Sequence, residues 1–302
     1  MLPSNRRAPK SAAPTLAALL PRADLLYPLI LKYGIIYFVL LEIQDLCVTF
    51  RDEMLSSHIA AEDINLTLER GEVLGLVGES GSGKSSVAMS IARLLPSPPA
   101  FYPKGKILLD GVNTLTMPLS ELRRLRGKKI GVIFQDPVGS LSPLHRIGDQ
   151  LVETVLLHEK VSRRAAADLA LTWLDKVGIP DAPVRARAYP HELSGGMQQR
   201  VMIAMALMLD PDLIIADEPT TALDVTVQAQ VLDLMRHLHR ANSAVLLITH
   251  DLGVVSQMAT KIAVMKSGRI VEKSAAVDAF FQHPQHPYSQ HLIAEARRME
   301  FT

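Results

Sequence analysis

The chain is poor in cysteine, in net charge and in long apolar runs, and each shortage excludes something. Cys47 is the sole cysteine in 302 residues. One thiol builds neither a disulfide framework nor a cysteine-ligated metal site, which fits a reducing, cytoplasmic setting. Lys and Arg number 32 against 31 Asp and Glu, a net charge of +1. That balance gives no electrostatic case for a nucleic-acid partner. The local cluster Arg123, Arg124, Arg126, Lys128 and Lys129 reads as a solvated helix face and loop. Near the N-terminus the apolar stretch 24–41 is broken by Pro28, Lys32 and Gly34. Its longest uninterrupted run, Ile35 to Leu41, is far short of the roughly 20 residues a spanning helix needs. No small-residue cleavage site follows it, so a signal peptide fits poorly. Internal repeats are also lacking. The length suits one large α/β domain with a subdomain.

What is present is a set of groups suited to a triphosphate. Gly78-Glu79-Ser80-Gly81-Ser82-Gly83-Lys84-Ser85 fits the G-x-x-x-x-G-K-[ST] pattern. Its glycines let successive N–H groups turn inward as an anion nest, and the following helix adds its positive end. Lys84 is placed to reach the β- and γ-phosphates, and the Ser85 hydroxyl to ligate Mg²⁺; Ser86 continues into the helix. The context is right, with Val73 to Val77 as a buried strand before the loop and Ser86 to Leu95 as a helix after it.

Three further strand ends carry polar residues. Leu213 to Ala216 is an apolar strand ending in Asp217-Glu218, and a parallel strand presents its functional groups at its carboxyl end. Asp217 is the expected Mg²⁺ partner and Glu218 the expected general base. Lys128 to Phe134 ends in Gln135, whose neutral amide can contact Mg²⁺ or the attacking water without competing as a base. Val245 to Thr249 ends in His250. The octapeptide LSGGMQQR, Leu193 to Arg200, adds a helix start capped by Ser194, with Gly195 and Gly196 leaving the first N–H groups uncovered. It is an anion site without a lysine of its own, in a chain that already has a phosphate loop.

The order GESGSGKS, Gln135, LSGGMQQR, LIIADEP, His250 resembles the ATPase subunit of ABC transporters. FQDPVGSLSP (Phe134 to Pro143) and HPYS (His286 to Ser289) resemble the oligopeptide, dipeptide and nickel importers among them. The resemblance covers about Leu41 to Ile293. It implies an α/β fold: a P-loop NTPase core of the ABC type, an antiparallel β subdomain and a helical subdomain over about 139–209. It implies ATP and Mg²⁺ (held by Ser85, Gln135 and Asp217) as ligands, with Gly78 to Ser86 around the phosphates and Phe50 stacked on adenine. His250 would hold the γ-phosphate and position Glu218. Leu193, Ser194, Gly195, Gly196 and Gln198 would close over the ATP of a second ATPase subunit, and Asp224 would belong to the D-loop. Two transmembrane permease subunits and a periplasmic or extracellular solute-binding protein are implied as partners. The chain is thereby expected at the cytoplasmic face of a bacterial inner membrane, hydrolysing ATP to drive uptake of peptides, with nickel or another small solute as the alternative. A soluble ABC ATPase acting on ribosomes resembles two cassettes or carries a coiled coil, and neither pattern is in the sequence. A P-loop kinase or GTPase has no need of LSGGMQQR or His250.

Residues 1–40 fall outside the pattern, Met1 to Ala23 being Pro/Ala/Arg-rich. They are expected to be disordered, or to be translated upstream sequence with the start at Val39 or Leu40. The ATPase domain is placed at 41–279 and a tail at 280–302. Strands are expected at Leu41 to Phe50 and Ile64 to Leu68, with 51–61 a connection, and a hairpin near Lys106 to Gly111. Helices are expected at Ile147 to His158 and Ser162 to Val177, the face Leu169, Leu171, Trp173 and Leu174 being core. A terminal hairpin at Lys261 to Lys273 and a short helix at Ala276 to Phe281 follow. In the tail, Pro284 and Pro287 are expected to interrupt any regular ligand face of His283, His286 and His291.

Overall fold

A computed structural model describes residues 39–51, 56–220, 223, 225–238 and 243–299. The N-terminal extension up to residue 38 and Asp224 of the expected D-loop lie outside them.

β1 (Val39–Arg51) and β2 (Ser57–Glu69) pair antiparallel. In β2 the alternation places Ile64, Leu66 and Leu68 inside and leaves Asn65 and Thr67 exposed. β2 begins at Ser57, so the expected connection 51–61 is shorter than its sequence suggests. Its second half, which lacks an apolar alternation, is recruited by pairing Ile59 with Thr49 and His58 with Phe50. β3 (Val73–Val77) is buried at every position, as a central parallel strand must be. α1 (Lys84–Ile91) starts at Lys84, where Gly83 at φ 100° ends the loop. β4 (Ala100–Leu109) and β5 (Val112–Asn113) complete a sheet of order β2-β1-β4-β5.

α2 (Leu119–Leu125) leads to β6 (Ile130–Ile133) and the short α3 (Pro137–Ser140). α4 (Ile147–His158), α5 (Arg163–Lys176), α6 (Ala182–Arg185) and α7 (Gly195–Leu207) then run without a strand. α5 is capped by Ser162, whose hydroxyl accepts the Ala165 N–H at 3.2 Å. It buries Ala166, Ala170, Trp173 and Leu174, one face at helical spacing, while Leu169 and Leu171 pack partly buried beside them. The basic cluster is solvated as expected at Arg123, Arg124, Lys128 and Lys129, and Arg126 alone is half-buried. Arg126 donates to the carbonyls of Ala92 and Arg93 at 2.9 and 2.7 Å, Lys129 pairs with Asp212 at 2.7 Å, and Lys128 pairs with Glu159. Arg123 and Arg124 are exposed.

β7 (Leu213–Asp217), α8 (Val225–Leu238), β8 (Ala244–Thr249), α9 (Leu252–Met258), β9 (Lys261–Lys266) and β10 (Arg269–Ser274) follow. Among the described residues the second sheet has the order β10-β9-β3-β8-β7-β6, parallel except for β10. Alternation sends successive residues into two cores. Leu213, Ile215, Leu246 and Ile248 pack with β1, β2 and α1, while Ile214, Ala216, Val245 and Leu247 pack with the helices of 147–207.

The chain closes with α10 (Val277–Gln282) and α11 (Pro287–Met299). Pro287 separates His283 and His286, which precede the last helix, from His291 within it. It is the first residue of a 13-residue helix, where a missing N–H costs no hydrogen bond. Nor does packing change at residue 280: Phe280, Tyr288 and Ile293 share a core with Val77, Leu252 and Val264.

Candidate active site

The phosphate loop leaves β3 at a point only glycine can occupy. A Cβ on Gly78 would lie 2.1 Å from the Met265 carbonyl oxygen, and one on Gly83 would lie 2.2 Å from that of Ala60. Lys84 is 4% exposed, and its Nζ donates to Gly78 O at 2.8 Å, Glu79 O at 2.7 Å and Ser82 Oγ at 3.4 Å. Burial pulls its pKa below the ordinary value, against the carboxylates of Glu218, Asp217 and Glu79. Ser85 Oγ donates to Asp217 Oδ1 at 2.9 Å. Asp217 is 6% exposed, and burial raises its carboxyl pKa while the Ser85 bond opposes the shift. Both are hard oxygen donors of the kind Mg²⁺ takes beside phosphate oxygens.

β6, β7 and β8 are neighbours in the sheet, so their carboxyl ends bring Gln135, Glu218 and His250 together. Gln135 Nε2 donates to Glu218 Oε2 at 3.1 Å, and His250 Nδ1 lies 3.2 Å from Oε1. Glu218 stands at φ 46°, a left-handed backbone that a side chain disfavours, with its N–H bonded to Ile248 O at 2.8 Å. Such strain persists where surrounding bonds over-determine it, and it gathers at functional sites.

A cavity of about 740 Å³ opens over this floor. Its walls include Phe50, Gly78, Glu79, Ser80, Gly81, Gly83, Lys84, Ser85, Ser86, Gln135, Glu218 and His250. Ser82 is buried beneath the loop, and Asp217 reaches the site through Ser85. Four wall residues were not legible in the sequence: His58 and Ala60 of β2, Leu292 and Glu295 of α11. His58 could have been found only from the strand register, which sets it opposite Phe50.

The LSGGMQQR helix is elsewhere, and none of its residues lines the cavity. Ser194 caps α7 by accepting the Met197 N–H at 3.3 Å, and Ser194 and Gly195 are exposed. Gly196 is tight, since a Cβ there would meet Val227 of α8 at 2.9 Å. Leu193 and Gln198 are buried. The Gln198 side chain donates to Pro190 O at 3.0 Å and Leu193 O at 3.1 Å, so it braces the turn from below. Gln199, not singled out in the sequence, is 2% exposed and donates to Pro219 O at 2.6 Å, tying the helix to the loop after Glu218.

A family model described as "ABC transporter" matches residues 61–221. The chain belongs to the ABC transporter family. This ABC ATPase is 47% identical over 262 residues to the oligopeptide transport ATP-binding protein OppD of Bacillus subtilis (strain 168), covering 86% of this chain and 73% of OppD. It is 48% identical over 263 residues to OppD of Salmonella typhimurium, covering 87% and 77%. It is 50% identical over 256 residues to the peptidoglycan transport ATP-binding protein YejF of Agrobacterium fabrum, but spans only 46% of that longer relative. Among solved structures it is similar to the dimeric post-hydrolysis state of the ATP-binding cassette MJ0796 bound to ADP and Pi. That match has TM-score 0.69 and 28% identity over 78% of this chain and 97% of the other.

The site of the ABC ATPase therefore has four parts in one cavity: an anion cradle, a buried lysine, a hydroxyl–carboxylate pair and a doubly held carboxylate. Among the described residues no helix is long and apolar enough to cross a membrane.

Proposed function

We propose that this chain is the ATP-hydrolysing subunit of a bacterial importer that takes up di- or oligopeptides. Its place is peripheral, at the cytoplasmic face of the inner membrane. The observation that carries the ATPase chemistry is the Glu218 carboxylate, held between Gln135 and His250 at the mouth of the phosphate loop. In that reading Glu218 is the general base for the attacking water, and His250 and Gln135 fix its orientation. Lys84 binds the β- and γ-phosphates, and Gly78 to Ser86 supply the backbone cradle. Phe50, half-buried in the cavity wall, stacks on adenine. Ser85, Asp217 and Gln135 hold Mg²⁺, which when bound neutralises charge on the phosphate oxygens.

The exposed Ser194 and Gly195 stand away from the cavity, which supports their use on the nucleotide of a second ATPase subunit, with Leu193 and Gln198 as supports beneath. The similar cassette MJ0796 is dimeric. ATP binding would close such a dimer and hydrolysis release it. Docking on two permease subunits is supported by exposed apolar side chains after β6 and on α4: Phe134, Val138, Leu144 and Leu157. A solute-binding protein outside the membrane would deliver the cargo. Peptide cargo rests on relatives named for oligopeptide transport.

Uptake in cells carrying Glu218→Gln, with labelled di- and oligopeptides beside labelled nickel, tests this. Loss of peptide uptake alone is expected. Loss of nickel uptake alone would reassign the cargo to nickel, and loss of neither would remove both.

A further inference from the structure

The far end of the chain reaches the phosphate loop. Tyr288 Oη accepts the Glu79 N–H at 3.1 Å, across 209 residues of sequence. Tyr288 is 5% exposed, and its ring packs in the core that holds Val77 and Phe280. The Lys266 ammonium lies 4.5 Å from the ring centroid. The approach to Tyr288 is fixed as well. The Glu272 carboxylate accepts the N–H of Gln285 at 2.9 Å and of His286 at 2.8 Å, and His286 Nδ1 accepts the Tyr288 N–H at 3.1 Å. Further along the same face of α11, at helical spacing, Leu292 and Glu295 line the cavity. HPYS is thus a clamp between the terminal hairpin and the nucleotide pocket.

The Tyr288 bond matters because of what else restrains that peptide. Lys84 donates to Gly78 O and Glu79 O, with Ser82 Oγ as its third acceptor, so all three ammonium hydrogens are used within the loop. A lysine that turns to phosphate oxygens gives up at least one of these. The bond from Glu79 N–H to Tyr288 uses none of the Lys84 hydrogens and is independent of that exchange. Burial and the Glu79 carboxylate hold the phenol pKa above its ordinary value, partly offset by the amide bond, so the hydroxyl stays neutral.

We propose that Tyr288 is a positioning residue for the phosphate loop: by holding the Glu79 N–H it keeps the cradle shaped while Lys84 engages ATP, and so sets ATP affinity. This rests on reading the cavity as the ATP site. Tyr288 takes no part in the bonds that hold Glu218, so it acts on binding and not on the hydrolytic step.

Titration of the full chain with trinitrophenyl-ATP, steady-state ATPase and nucleotide-free thermal melts test it on wild type, Tyr288→Phe and Lys84→Ala. Phenylalanine keeps the ring and removes the hydroxyl together with its bond to the Glu79 N–H. Kd and KM are expected to rise about fivefold, with kcat within about twofold and Tm unchanged. An unchanged Kd in Tyr288→Phe, with binding lost in Lys84→Ala, would overturn the proposal and leave the ATP site standing. A lowered Tm with unchanged Kd would overturn it too, since the hydroxyl would then serve folding alone. A wild-type chain that does not bind the analogue overturns the ATP site itself. If Tyr288→Phe does not fold, Glu272→Gln loosens the same clamp from behind. About a twofold rise in Kd is then expected, and no rise overturns the proposal.

Discussion

His250 Nδ1 lies 3.2 Å from Glu218 Oε1, although the two residues end different strands. Gln135 takes the other carboxylate oxygen, so both Glu218 oxygens are held. A base oriented this way needs little rearrangement to act.

Glu218→Gln keeps the shape of the side chain and removes its basicity. Turnover is expected to fall by about 10²- to 10⁴-fold, while binding of an ATP analogue survives. Steady-state ATPase and analogue titration on one preparation check both. Activity within tenfold of wild type would remove Glu218 from the role.

Asp217 carries a pH dependence whose sign follows from burial. Its folded pKa is raised above the ordinary 3.8, so the folded chain holds the proton more tightly than the unfolded one. That stabilisation is present below pH 3.8 and lost as pH rises through the folded value, so the ionised carboxylate costs stability at neutral pH. Asp217→Asn still accepts from Ser85. It is expected to raise Tm at pH 7 without Mg²⁺ or ATP, by about 2–4 °C for each kcal/mol relieved. The difference should vanish near pH 4, and Mg²⁺-dependent ATPase should be lost. A lower Tm at pH 7 would contradict the burial argument.

Gln199→Leu removes the donor to Pro219 O and leaves a carbonyl unpaired inside the protein. The expected cost is about 1–3 kcal/mol, read as a drop in melting temperature. An unchanged melt would mean that the carbonyl finds another partner.

Glu272 gives the opposite pH sign. Burial works to raise its pKa, but the backbone N–H bonds from Gln285 and His286 help to outweigh it and the carboxyl lies below the ordinary 4.5. Its stabilisation is therefore present above that value and lost as pH falls through the folded one. Glu272→Gln is expected to melt below wild type at pH 7 and to converge with it near pH 3. A gap that persists in acid would assign the effect to packing.

The features legible in the sequence are those a short stretch of backbone dictates. GESGSGKS carries its glycines because Gly78 and Gly83 adopt positive φ against neighbouring carbonyls. The apolar runs 73–77, 213–216 and 245–249 are too short for helices and lie where β3, β7 and β8 stand. Ser162 and Ser194 mark their helix starts. Local chemistry also showed that Gln135, Glu218 and His250 each end a strand.

Tertiary structure decided what strand order and side-chain direction control. Only the order β3-β8-β7-β6 sets the three strand ends side by side and lays Ser85 against Asp217. Pairing drew 57–61 into β2 and so brought His58 to the cavity. Gln198 turns inward, where its amide bonds the Pro190 and Leu193 carbonyls, a side-chain direction that the motif by itself does not fix. The tail looked separable at residue 280, but the core it shares with Val77 and the Tyr288 bond to Glu79 make it part of the site. Periodicity and turn chemistry act over a few residues, whereas a contact across 209 residues forms only when the whole chain has closed.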